Sequence, residues 1–95
     1  MNIKELHTNE KPVSTATIFK GANCVATAIQ ILKNQELKEH VTKTPAFLIC
    51  IEGEALFKNE QGATEELLPG DYVIIEQDVK HWVLGITDCQ LTLFK

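Results

Sequence analysis

Ninety-five residues, 44% apolar and 23% charged, suffice for one domain with a real core, and no window is apolar enough for a membrane span. The net charge is −4 and all nine basic residues are lysines, so the chain has neither the basic stripe nor the arginine forks that nucleic-acid recognition uses. Three cysteines, Cys24, Cys50 and Cys89, with no CxxC spacing, speak against a disulfide framework and against a zinc ribbon.

Residues 1–12 carry little pattern. Asn2 to Asn9 permits one short helix with Ile3 and Leu6 on one side, and His7 is expected in solvent. No apolar run follows Met1-Asn2-Ile3-Lys4-Glu5, so no signal peptide is visible and a cytoplasmic location is expected. Beyond this segment the dominant period is two. Val25 to Leu32, Ala46 to Ile51, Tyr72 to Ile75, His81 to Leu84 and Cys89 to Phe94 read as strands. Turn signals separate them: Lys33-Asn34-Gln35, Glu52-Gly53-Glu54, Asn59-Glu60-Gln61-Gly62, Leu68-Pro69-Gly70-Asp71 and Gly85-Ile86-Thr87-Asp88. Pro45 opens a strand and Pro69 sits in a turn, so neither removes a ladder bond from a central strand. The spacing predicts one all-β domain over residues 1–95, an antiparallel sandwich or barrel of eight or nine strands.

The strand from Ala46 is apolar on both faces. Ala46, Leu48 and Cys50 point one way, and Phe47, Ile49 and Ile51 the other. A small barrel covers only its inner face, so the outer set is expected to meet a second sheet or a second subunit, and a homodimer follows. Trp82 faces away from His81 and suits either that contact or packing between sheets.

The order strand, His40-Val41-Thr42, strand ending in Glu52-Gly53-Glu54, hairpin, Pro69-Gly70-Asp71, strand, His81-Trp82 resembles the small single-domain cupins, the RmlC-like jelly rolls. The resemblance covers about residues 22–95 and implies a double-stranded β-helix, or jelly-roll barrel, commonly found as a homodimer. The family's first motif is His-x-His, then Glu, then Gly. Those positions fall here on His40, Thr42, Ala46 or Phe47, and Gly53. The second motif runs from Gly70 to His81, with Glu76 and Asp78 at its Pro and Gly positions and Gly85 at its Asn position. The metal-binding motif is therefore degenerate: both turn glycines are kept and two of four ligands are gone.

A catalytic transition metal typically needs about three protein ligands. His40 and His81 are two, Thr42 is a neutral hydroxyl that competes poorly with water, and Ala46 offers nothing. No resident cofactor is expected. Cys50 is the one inward candidate for a third ligand, so weak zinc binding by His40, His81 and Cys50 stays open. The site expected from the resemblance is a small-molecule pocket lined by His40, Thr42, Leu48, Cys50, His81 and Val83, with Leu32 and Leu93 among its walls. The function that follows is small-molecule binding without a full metal site. The alternative is a cupin enzyme: a metal-dependent dioxygenase, isomerase or decarboxylase, or a metal-free lyase or epimerase with His40 or His81 as base. For the latter, Glu76 and Asp78 are the nearest carboxylates to orient an imidazole. A third option is an interaction role in a larger assembly, which would require a partner chain.

Overall fold

The computed structural model describes all 95 residues. A 3-10 turn, Ile3–Leu6, is followed by nine strands: β1 (Val13–Lys20), β2 (Val25–Ile31), β3 (Glu36–His40), β4 (Ala46–Glu52), β5 (Ala55–Asn59), β6 (Thr64–Leu67), β7 (Tyr72–Ile75), β8 (His81–Gly85) and β9 (Cys89–Phe94). All pairings are antiparallel. One sheet has the order β1-β2-β9-β4-β7 and the other β3-β8-β5-β6. The chain passes between sheets instead of building one and then the other, and this gives the two-sheet jelly roll. No helix is long and apolar enough to cross a membrane.

Alternation decides which side chains enter the core. On β4, Ala46, Leu48 and Cys50 are buried and meet Ile29 and Ile31 of β2, Val83 of β8 and Leu91 of β9 in one apolar cluster. Leu48, Leu91, Ile31 and Val83 are at most 2% exposed, so each contributes about 1.5–3 kcal/mol by leaving water. β5 and β6 enter the sequence reading only as the hairpin before Pro69, and β1 and β3 escape it. Their interiors are mostly Thr, Ser, Lys and Glu, and their apolar residues are too few to raise a period-two signal above background.

Turn chemistry follows the residues. In Leu68-Pro69-Gly70-Asp71, proline pre-sets the first central position and Gly70 takes φ +93° at the second, as a type II turn requires. The Asp71 amide donates to the Leu68 carbonyl at 2.8 Å, and the Leu68 amide donates to the Asp71 carboxylate at 3.0 Å. The turn docks on β4 through the Gly70 amide and the Cys50 carbonyl, 2.8 Å apart. Gly53 has a second constraint besides φ +83°: a Cβ there would lie 2.9 Å from Cys89 Cα.

Two expectations need correction. His7 is half-buried, not free in solvent, because residues 1–12 fold across the outer face of the five-stranded sheet. Its Nδ1 meets Ser14 Oγ at 2.9 Å, and Lys4 Nζ meets Glu52 at 3.0 Å. Nor does Trp82 join Phe47, Ile49 and Ile51. Trp82 projects from β8, in the four-stranded sheet, and the other three from β4, in the five-stranded one, so they lie on opposite outsides of the sandwich.

Candidate functional site

Two loops and one strand pair bring the histidines together. β3 ends at His40 and β8 begins at His81, and the two residues face each other in the β3–β8 register. The loop after β3 is tied to the loop before β8 by the Asp78 amide, which donates to the Thr42 carbonyl at 2.8 Å. The two imidazole centroids are 5.7 Å apart and tilted by 43°. His81 is 5% exposed and stacks on Phe57 at 5.9 Å, while His40 stands at the open mouth.

The rings are held alike. His40 Nδ1 lies 3.0 Å from the Lys38 carbonyl and His81 Nδ1 3.4 Å from the Val79 carbonyl. A carbonyl only accepts, so Nδ1 carries the proton in each and Nε2 is turned away from its own strand with a lone pair to offer. Burial pushes the His81 pKa down. The Val79 carbonyl opposes this, while His40 and the charge of Lys95 lower it further. His81 is therefore a neutral imidazole at neutral pH.

Around the pair lies a cavity of about 380 Å³. Of the residues named from the sequence, His40, Thr42, Leu48, His81, Val83 and Leu93 line it. Thr42, 3% exposed, donates its hydroxyl to the Thr44 carbonyl. Two expected members are absent. Cys50 lies further along β4, toward the Gly53 turn, where its thiol donates to the Gly53 carbonyl at 3.5 Å. Burial pushes that thiol up, so it is no ready thiolate. Leu32, just beyond β2, sits at the opposite end of the barrel, its amide on the Pro12 carbonyl. The walls are completed instead by Ile29, Leu37 and Ile75. The sequence reading also missed Thr15, Thr27 and Lys95 at the rim. Parity along β9 finds Lys95, since Leu91 and Leu93 point inward; Thr15 required β1 to be seen as a strand.

No carboxylate orients either imidazole. Asp78 is exposed, 3.9 Å from Lys43, and Glu76, just after β7, is exposed as well. Nowhere do three or more His, Cys, Asp or Glu side chains converge. Two imidazoles donating through Nε2, each with Nδ1 on a backbone carbonyl, fit two positions of a metal centre but lack its third ligand. The donor set present does not fit a resident transition metal.

No protein-family model and no curated protein sequence matches the chain. Solved structures do. A cupin superfamily protein from Desulfitobacterium hafniense DCB-2 superposes with a TM-score of 0.85 at 12% identity, over 98% of this chain and 84% of its own. A conserved protein of unknown function from Streptococcus pyogenes gives 0.83 at 16% identity, over 99% and 82%. KdgF from Halomonas sp. gives 0.78 at 14% identity, over 93% and 83%. The chain has the cupin fold.

Proposed function

We propose that this cupin-fold chain binds a small molecule in its barrel cavity, against His40 and His81, without a resident metal. The observation that carries the reading is the convergence of two imidazoles on a largely apolar cavity of about 380 Å³. An apolar cavity of about 150 Å³ accommodates benzene, so this one has room for a substituted monocyclic ligand. Apolar walls supply affinity, and the two Nε2 atoms fix orientation by accepting from a ligand hydroxyl or amine. Added zinc is expected to bind weakly through the imidazoles and water, and less as they protonate at low pH.

The test is the His40 and His81 ring signals in NMR spectra while a fragment library is titrated. Binders are expected to move both rings and to lose about tenfold in affinity in His81→Gln, a hydrogen bond's worth. A library that moves neither ring, or binders indifferent to His40→Gln and His81→Gln together, overturns the reading.

A second reading is catalysis, and one observation favours it: a neutral His81 with a free Nε2 can take a proton. A metal-free lyase or epimerase is the form that suits the donor set. It lacks the carboxylate that usually orients such a base, so binding is placed ahead of it.

We also propose a homodimer through the outer face of the five-stranded sheet. Phe19, Ala26, Phe94, Phe47 and Ile74 form one cross-strand row over all five strands. Phe47 packs on Tyr72 at 5.0 Å and on Phe94 at 5.8 Å, yet Ile74 is 61% and Phe19 65% exposed. An uncharged row of this length meets its own copy without stranding a charge.

A further inference from the structure

We infer that the ligand is a small organic acid whose carboxylate is held at the cavity rim by Lys95 and whose apolar body lies between the sheets. This rests on the binding reading above and adds the ligand's charge to it. Among the residues lining the cavity, Lys95 is the single formally charged one, and no Asp or Glu joins it. That bias runs against the whole chain, which has 13 acidic residues and a net charge of −4.

The backbone fixes where the lysine points. Lys95 continues β9 in register with Val25, the two exchanging backbone bonds of 3.1 and 2.7 Å. With Leu91 and Leu93 inward, Lys95 falls on the inner face too. Lys95 and His81 line the same cavity. Thr15 of β1 and Thr27 of β2 line the same cavity and add two hydroxyls to its lining.

The acids nearest the mouth are engaged elsewhere. Glu39 lies 3.5 Å from Lys80, and Asp78 lies near Lys43. One lysine with hydroxyls matches a single negative charge. A phosphate would want the arginines or clustered amides that this cavity does not supply. The His40 and His81 Nε2 atoms are left for a donor group on the ligand's body.

The experiment compares matched probes: benzoate, 3-methylbutanoate and 3-phenylpropionate, each with its carboxamide, titrated against the full chain while the His40 and His81 ring signals are followed. The acids are expected to bind about tenfold more tightly than the amides, with the gap closing in Lys95→Met and returning in Lys95→Arg. Lys95 is exposed, so these variants keep the fold. Acids and amides of equal affinity overturn the anion preference while leaving the pocket standing. A preference that survives Lys95→Met overturns the role of that residue. Phenyl phosphate binding more tightly than benzoate overturns the carboxylate assignment. If no probe of either kind moves the rings, the pocket itself is lost and this inference with it.

Discussion

His81 resists protonation because its ring is packed on Phe57, close to His40 and within reach of the Lys95 charge. The unfolded chain has no such resistance. As pH falls through the ordinary histidine range, the unfolded state takes up a proton that the folded state refuses, so stability drops in that window and levels off below the folded pKa. Burial lowers the His7 pKa as well and acts with the same sign. The melting temperature is expected to rise as pH increases through the ordinary histidine range, more shallowly in His81→Gln; a flat profile contradicts this. The glycines give a contrast at the same scale. Gly53→Ala meets both a positive φ and Cys89, and is expected to cost about 3 kcal/mol in urea unfolding. Gly70→Ala meets the φ alone, with nothing within 4 Å of its Cβ, and is expected to cost about 1 kcal/mol. Equal losses would remove the steric part of the argument. Motif position and parity made His40, Thr42, Leu48, His81 and Val83 legible from sequence. Cys50 was misplaced because parity gives the side of a strand but not the depth along it.

Elements rich in β-branched residues announced themselves, and polar ones did not. Tyr72–Ile75 is a continuous apolar run and Cys89–Phe94 alternates apolar with polar residues, and both were read to the residue. β3 has Leu37 as its sole inward aliphatic, and β1 lines the pocket mouth with threonine, so neither shows the alternation of a core strand. The polar rim that hid β1 is also what gives the cavity its hydroxyls. The N-terminal segment was unreadable for another reason: it buries no residue fully and is held by the Ser14 bond and the Lys4–Glu52 pair, which are tertiary contacts. Removing residues 1–8 is expected to cost about 1–2 kcal/mol, one hydrogen bond and one exposed ion pair with some packing. A truncated chain of unchanged urea midpoint would show that the segment only drapes the sheet.

At the scale of the whole molecule, two surfaces have been given roles: the cavity between the sheets and the apolar row across the five-stranded face. For the second, light scattering of the native chain is expected to give twice the monomer mass, and Phe47→Glu with Ile74→Lys is expected to give a monomer with an unchanged far-ultraviolet spectrum. A monomeric native protein at micromolar concentration removes the dimer. For the first, the fold offers a site in which the donor set decides the chemistry. On the proposed reading, two imidazoles without a third ligand are expected to orient an organic ligand and to hold a metal poorly. The most direct measurement is native mass spectrometry with elemental analysis on protein purified without added metal. The expected result is the polypeptide mass with well under one equivalent of zinc, iron, nickel or manganese, and any retained adduct organic and lost on denaturation. A stoichiometric, tightly held metal would contradict the account and put the catalytic reading in its place.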